Sequence, residues 1–216
     1  ADVETQGCFA ALRNGPWGLV DIRREVQRRT GGRLPASQVV VQCGHSHSGP
    51  DTLGVWGGVP DGYFALVAQR TVDAIVEAFE QRRPGTLHYG TAPGRDLLSN
   101  QFDYDPANAA VDSDVRVLQA RDAEGRPFAT LLNFSAHATV LDSSNTKVSG
   151  DWVQRANPLL EQRFGGRAIT VVATLGRTQP ADRGCADPAQ QGDARSLCAL
   201  DEYASRVVDR AEQAAA

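Results

Sequence analysis

The sequence predicts an α/β fold, with a mostly buried central sheet flanked by helices and active-site loops at the strand ends. Short β-branched runs such as QVVVQC and AITVVATLG alternate with segments whose apolar residues recur at helical spacing. Three polar segments directly follow predicted strands: GHSHSGP, AHATVLDSSN and GRTQPADRGC. Because ligand sites in α/β proteins form where strands end, we expect these loops to meet at one edge.

The first half of the chain predicts two helices separated by a strand. GLVDIRREVQRR has apolar residues at helical spacing, and QVVVQC follows as a short buried strand. Residues 63–79 then place apolar or small side chains on one face of a 3.6-residue period. We expect Asp61 to cap this helix and Pro84 with Gly85 to end it.

The second half predicts four strands and two helices. TLHYG, DVRVLQAR and PFATLLNFSAH are expected strands, and DAEGRP forms the turn between the last two. GDWVQRANPLLEQRFGG predicts a helix that bends or breaks near Pro158. Asp151 either caps this helix, which we favour, or orients a metal-binding histidine through a hydrogen bond. AITVVATLG is a further buried strand, and a helix with the same apolar period ends the chain.

The amino-acid composition excludes some classes of function. The 216 residues carry a net charge of -4 and no basic run, which argues against a nucleic-acid partner. No apolar stretch approaches the roughly 20 residues of a transmembrane helix. The chain lacks methionine, even at position 1, and opens on ADVETQG, which is typical of the end of a strand. We expect residues 1–216 to form a single domain from the middle of a larger catalytic domain, with both ends cut.

The four cysteines fall into two groups. Cys185 and Cys198 bracket a polar loop and predict a disulfide worth about 3 kcal/mol, since the CxxC pairs of a zinc ribbon are absent. Cys43 lies in an apolar run and predicts a buried thiol, whereas Cys8 has no assigned role. A disulfide favours a secreted or periplasmic protein.

The histidines suggest a metal site. His45 and His47 flank Ser46 in GHSHSGPDT, and an extended backbone would point them to opposite faces, one as a ligand and one as an acid/base or oxyanion group. His137 ends a strand and offers a second ligand, and zinc binds imidazole readily. Spacing alone leaves a metal site and an ordinary polar loop equally open. His88, in TLHYGT, is expected to be an ordinary strand residue.

Two other hydrolase classes are disfavoured. An HxH pair is also the first metal-binding motif of barrel-type amidohydrolases. That fold needs eight strand–helix units, and the chain has too few. A serine hydrolase of the α/β class needs a GxSxG nucleophile turn, which the sequence lacks.

GHSHSGPDTLGVWGGVPDGYFALVAQRTVDAI and NFSAHATVLDSSNTKVSGDW resemble the two histidine segments of the neutral (alkaline, non-lysosomal) ceramidase family. ITVVATLG leading into GRTQPADRGC resembles its third segment. The resemblance implies a zinc-dependent hydrolase that cleaves the amide of an N-acyl sphingoid lipid, or a related ester, by metal-activated water. It implies that His45 and His137 bind Zn²⁺ and that His47 faces the substrate and stabilises the charged intermediate. Further ligands, a glutamate and a tyrosine, would come from sequence beyond the matched region.

Two positions depart from the family pattern. Gln101 stands where the family has an arginine in LLSNQFDYD, and Gln179 stands where it has a serine in LGRTQPA. Glutamine donates hydrogen bonds but supplies neither a full charge nor a nucleophile, so the substrate could be another amide or ester.

The alternative to a hydrolase is a non-catalytic lipid- or glycan-binding relative that keeps the fold, and a third hypothesis is a plain α/β domain with incidental histidines. The hydrolase would take a small-molecule or lipid acyl substrate, with peripheral contact to a membrane surface possible. Trp56 and the glycines around it either form an apolar lip for a lipid or pack a loop. Asp2, at the end of the expected first strand, either approaches the site or is a surface loop acid, which we favour.

Overall fold

The structure, a computed structural model, describes residues 1–102 and 111–216. Its α-helices are α1 (Leu19–Arg29), α2 (Asp61–Glu80), α3 (Asp151–Phe164) and α4 (Gly192–Ala215). Its strands are β1 (Asp2–Val3), β2 (Gln42–Cys43), β3 (Thr86–Pro93), β4 (Leu98–Asn100), β5 (Asp114–Arg121), β6 (Pro127–Phe134), β7 (Arg167–Val172) and β8 (Thr178–Pro180). The predicted α/β class is confirmed.

The central sheet has the strand order β3-β5-β6-β7. β3, β5 and β6 are antiparallel neighbours, and β6 pairs with β7 in parallel after the chain crosses over through α3. Two small sheets accompany it, one of parallel β1 and β2 and one of antiparallel β4 and β8. The segments of the small sheets also bind the neighbouring loops, since the His45 N–H donates to the Thr5 carbonyl after β1 and the His137 N–H donates to the Thr178 carbonyl of β8.

The main core lies between the central sheet and the helices α3 and α4. Trp152 is fully buried and packs edge-to-face between Phe134 of β6 and Tyr203 of α4, with ring centroids 6.1 Å away on each side. The Tyr203 hydroxyl donates to the Leu97 carbonyl, 2.8 Å away, so the buried phenol is satisfied. Each large apolar side chain buried here contributes about 1.5–3 kcal/mol to folding.

A second core lies under α1 and α2. It joins Ile22 and Val26 of α1 to Val72 of α2 and to Val39 and Val41 of the predicted strand QVVVQC. The run is not buried throughout, contrary to expectation, because the intervening residue, Val40, is 69% exposed. The strand itself is shorter than predicted, because β1 offers only two residues for it to pair with.

Two local expectations need correction. The helix α2 begins at Asp61 and its N-cap is Pro60, without a side-chain capping bond. Asp61 therefore does not cap the helix; its carboxylate lies in the first turn, where it favours the helix dipole, and accepts a hydrogen bond from Asn14. The helix α3 runs through Pro158 to Phe164 without a break.

Two disulfides cross-link the chain. The predicted Cys185–Cys198 bond is present and closes the loop before α4. Cys43 is not a buried free thiol, because it forms a second disulfide with Cys8 and so ties the segment after β1 to β2. Both bonds fit a protein that matures in an oxidising environment. Among the helices of the described residues, none has the length and apolarity that a bilayer crossing requires.

Candidate metal centre

Three histidines from two loops converge on one point. His45 and His47 lie in the loop after β2, and His137 lies just after β6. A ring nitrogen from each lies within 4.8 Å of one from each of the others. The ring centroids are separated by 4.9 Å for His45–His47, 5.1 Å for His45–His137 and 5.6 Å for His47–His137. The loops after two predicted strands therefore meet, as the fold class suggested.

The backbone at His45 lets two neighbouring histidines share the site. His45 has φ of 59°, in the left-handed region that few residues other than glycine occupy. The segment is therefore not extended, and the expectation that His45 and His47 point to opposite faces is wrong. Their Nε2 atoms lie 3.4 Å apart. Two nitrogens bound tetrahedrally to one zinc ion, each about 2.0–2.1 Å from it, would be separated by roughly the same distance.

Backbone carbonyls fix the orientation of two rings. His45 Nδ1 lies 2.6 Å from the Gln6 carbonyl and His137 Nδ1 lies 2.8 Å from the Thr178 carbonyl. A carbonyl only accepts, so each Nδ1 carries the proton and each Nε2 keeps its lone pair for a metal. Histidines that bind metals commonly donate their other N–H in this way. Among the hydrogen bonds of the described residues, His47 has no such carbonyl partner.

The environment favours the neutral form of two of these imidazoles, those of His47 and His137. Burial lowers the pKa of His47, and the neighbouring His45 and His137 lower it further. Burial also lowers the pKa of His137, and the Thr178 carbonyl only partly opposes this. Neutral imidazole is the form that binds a metal. The donor set and its spacing therefore fit a divalent ion that accepts nitrogen ligands, such as zinc.

The loop that carries His137 is held by the start of α3. The Trp152 indole N–H donates to the His137 carbonyl at 2.9 Å. The Asp151 carboxylate accepts the N–H groups of Val140 and Leu141 at 3.0 and 2.9 Å. Asp151 therefore binds the backbone just after His137, and the N-cap position of α3 belongs to Gly150. The proposed capping role is not what the structure shows.

Gln101 and Gln179 lie together beside His137. The Gln179 amide nitrogen donates to Gln101 Oε1 at 2.9 Å, and its oxygen accepts from the Thr139 hydroxyl at 2.6 Å. Gln179 directly follows Thr178, whose carbonyl holds the His137 ring. The pairing of β4 with β8 brings the two glutamines together from distant parts of the sequence. The last three residues of the LLSNQFDYD segment fall outside the described residues.

Two carboxylates lie under the site, and of these the sequence reasoning missed Glu4. Asp2 is not a surface loop acid: it is partly buried, and burial raises its pKa. Burial and the facing Asp2 raise the pKa of Glu4 to about 9. Asp2 and Glu4 are two residues apart at the end of β1, which places both on one side of an extended chain. That spacing was the available signal, although nothing in the sequence shows what they contact.

A rigid loop projects apolar side chains next to the histidine segment. The two Asp51 oxygens accept four backbone N–H groups, from Gly54, Val55, Trp56 and Gly58, at 2.7–3.1 Å. Val55 is 63% and Trp56 71% exposed, so neither packs against the described part of the chain. The alternative that Trp56 simply packs a loop is therefore disfavoured.

His88 lies in β3, away from the cluster of three histidines, and its Nε2 is 3.1 Å from the Thr86 hydroxyl. This is the ordinary strand position expected for it.

The chain is similar to known neutral ceramidases. It is 26% identical over 167 residues to neutral ceramidase B of Dictyostelium discoideum, covering 68% of this chain and 23% of the relative. It is 25% identical over 186 residues to neutral ceramidase A of the same organism, covering 76% of this chain and 26% of the relative. No family model matches the chain.

The same similarity appears in the fold. The crystal structure of neutral ceramidase from Pseudomonas aeruginosa superposes with a TM-score of 0.75 at 20% identity, over 99% of this chain and 36% of that one. A ceramidase complexed with C2 gives the same score and identity and is covered to 35%. The chain thus spans about a quarter of the curated relatives and about a third of the solved chains. The chain is thus similar to neutral ceramidases in both sequence and fold, as the sequence motifs indicated.

Proposed function

We propose that the chain forms part of a zinc-dependent hydrolase that cleaves the amide of an N-acyl sphingoid lipid, or a related ester. The observation that carries the proposal is the convergence of His45, His47 and His137, whose ring nitrogens all lie within 4.8 Å of one another. The similarity to neutral ceramidases supports the substrate class.

The three histidines would divide the work. His45 and His137 would hold zinc through Nε2, because both donate Nδ1–H to a carbonyl that fixes the ring. When bound, zinc would lower the pKa of a water molecule to about 7 and polarise the acyl carbonyl. His47 has a lowered pKa and no carbonyl partner among the described residues, so it is free to accept a proton or to donate to the oxyanion.

The two glutamines would contribute hydrogen bonds at the edge of the site. The Gln179 amide is already bonded on both sides, to Thr139 and Gln101, which fixes its orientation. Neither glutamine carries a charge, so both would orient a neutral acyl group by donation from the amide nitrogen. This arrangement suits a neutral amide or ester better than an anionic substrate.

The exposed loop supports a lipid substrate. Val55 and Trp56 project from a turn that Asp51 holds rigid, within ten residues of His47 in the sequence. Trp is well suited to the boundary between water and acyl chains because its ring is apolar and its N–H is polar. We propose that this loop touches the acyl part of the substrate or the lipid surface that supplies it.

We further propose that residues 1–216 form one domain of a larger catalytic unit that supplies the remaining zinc ligands. The small share of the ceramidases that the chain covers supports this. The two disulfides support a secreted or periplasmic location.

A second candidate is a lipid- or glycan-binding relative without catalysis. It is favoured by Gln179, which stands in place of a nucleophilic serine and is held by hydrogen bonds to Thr139 and Gln101.

The test is zinc content and acyl turnover of the full-length protein. We expect near-stoichiometric zinc by elemental analysis, with loss of zinc and turnover in the His45→Ala/His137→Ala double variant. A His47→Gln variant should keep its zinc and lose about 10²–10⁴-fold in turnover. A His88→Ala variant, altered at a histidine outside the cluster, is the control. Zinc without turnover on any of a panel of amides and esters would favour the binding relative, and a wild-type protein without zinc would refute the proposal.

A further inference from the structure

We propose that Glu4 is a positioning residue for the metal centre: its carboxyl fixes the two loops that carry His45 and His137. This inference rests on the proposed zinc function, since it concerns how the zinc ligands are held. Glu4 itself is not offered as a ligand.

The first contact is with the loop of His45. A Cβ added to Gly44 would lie 2.6 Å from Glu4 Oε2 and 3.3 Å from Asp2 Oδ2, so the carboxyl pair occupies the space that a side chain would need. Gly44 directly precedes His45, whose φ is 59°. The His45 N–H donates to the carbonyl of Thr5, the residue after Glu4, at 3.1 Å. The Glu4 carboxyl lies against Gly44, and the Thr5 carbonyl binds the His45 N–H. Together these two contacts fix the backbone from which the His45 side chain extends.

The second contact is with the loop of His137. A Cβ on Gly150 would lie 2.9 Å from the same Glu4 oxygen. Gly150 directly precedes Asp151, whose φ is 57°. Asp151 in turn binds the backbone N–H groups of Val140 and Leu141, just after His137. A displacement at Gly150 would therefore be transmitted to the His137 loop through one residue.

The two loops are also joined directly. The Ser46 hydroxyl donates to the Ser149 carbonyl at 2.5 Å, and the Ser149 N–H donates to the Ser48 carbonyl at 3.0 Å. The His47 N–H donates to the Ala138 carbonyl at 3.2 Å. Because these bonds join the two loops, one carboxyl at their junction is placed to set the separation of the histidines.

Glu4 acts here by its shape and not by a negative charge. It faces Asp2 and lies near Asp151, and both raise its pKa in addition to burial. Glu4 Oε2 and Asp2 Oδ2 are buried and have no hydrogen-bond partner within the part of the chain that the structure describes. Glutamine has the same shape and no charge, so Glu4→Gln is the conservative variant and Glu4→Ala the disruptive one.

The experiment compares zinc affinity in the full-length protein. Zinc dissociation constants are measured by competition with a chelating dye for the wild type and for Glu4→Gln, Glu4→Ala and Gly44→Ala. Gly44→Ala places a methyl group against the Glu4 carboxyl and so disturbs the same contact without altering Glu4. The φ of Gly44 is not positive, so the alanine adds no backbone strain. Gly62→Ala is the control, since nothing lies within 4 Å of an added Cβ there. The absorption spectrum of the Co²⁺-substituted protein reports ligand geometry, and circular dichroism reports folding.

We expect Glu4→Ala and Gly44→Ala to weaken zinc binding by about 10–100-fold and to change the Co²⁺ spectrum, as loss of a group that orients a ligand does. Glu4→Gln and Gly62→Ala should stay within about threefold of wild type on the same scale. Folded Glu4→Ala and Gly44→Ala proteins with wild-type affinity and spectrum would overturn the inference while leaving the proposed function intact. Equal losses in Glu4→Gln and Glu4→Ala would also overturn it, because charge would then matter. A wild-type protein that binds no zinc would remove the proposed function itself.

Discussion

The Glu4 carboxyl should make the stability of the metal-free protein fall as the pH rises. Its pKa is raised from 4.5 in the unfolded chain to about 9 in the fold. Between these values the folded state holds a proton that the unfolded state has released. The contribution of Glu4 is therefore fully present below pH 4.5 and is lost progressively up to about pH 9.

The size of the effect follows from the one proton that the folded state holds and the unfolded state releases. Each pH unit between the two pKa values costs about 1.4 kcal/mol, so the wild type should lose about 2.7 kcal/mol from this group between pH 6 and pH 8. Glu4→Gln removes the titration and keeps the shape. The difference in unfolding free energy between variant and wild type should therefore move in favour of the variant by that amount. His47 and His137 have lowered pKa values and act in the opposite direction near pH 6, but they are common to both proteins and cancel.

The assay is urea unfolding of both proteins with chelator present, at several pH values from 6 to 8. The Glu25→Gln variant is the matched control, because Glu25 is partly exposed and, among the described residues, forms an ion pair only with Arg28. Its stability difference from wild type should change little over this range. If the unfolding free energies of wild type and Glu4→Gln changed equally with pH, the reasoning would be refuted. Equal changes would mean that Glu4 is ionised in the folded protein at neutral pH.

Two further predictions concern the framework of the site. Removing the Cys8–Cys43 disulfide by double alanine substitution should cost about 4 kcal/mol and removing Cys185–Cys198 about 3 kcal/mol, because the first closes the longer loop. Denaturant unfolding that gives the reverse order would contradict this. Trp152→Phe should cost about 1–3 kcal/mol by leaving the buried His137 carbonyl without its donor. The same change at exposed Trp56 should leave unfolding unaltered, and equal effects at the two tryptophans would count against the role of that hydrogen bond.

The parts of the fold set by local patterns could be predicted. The apolar period of α2 and α4 and the alternation of β5 and β6 identify those elements because one face of each is buried against the rest of the chain. The extent of β2 could not be predicted in this way. A strand needs a partner strand as well as an apolar pattern, and among the described residues only Asp2 and Val3 pair with β2.

The sequence drew attention to three histidines that the structure brings together, but it did not predict how they are arranged. His45, His47 and His137 were singled out by sequence, but the meeting of the first two depends on the backbone at His45, which no side-chain pattern encodes. The Cys8–Cys43 bond likewise joins residues 35 apart in sequence, and cysteine spacing does not specify connectivity. Glu4 was missed because its partners, Gly44 and Gly150, carry no side chain to signal a contact.

Backbone strain and close packing occur together beside the histidine cluster. Among the described residues, His45 and Asp151 alone combine a positive φ with a side chain, at a cost of order 1–3 kcal/mol each. Each follows a glycine that contacts Glu4, and each has fixed partners, the Gln6 carbonyl for His45 and the Val140 and Leu141 N–H groups for Asp151. A loop that only connected two elements could relax to an unstrained conformation. The hydrogen bonds instead hold both residues where the rings of His45 and His137 face each other, as expected if the fold sustains this strain in order to bring the ligands of one ion together.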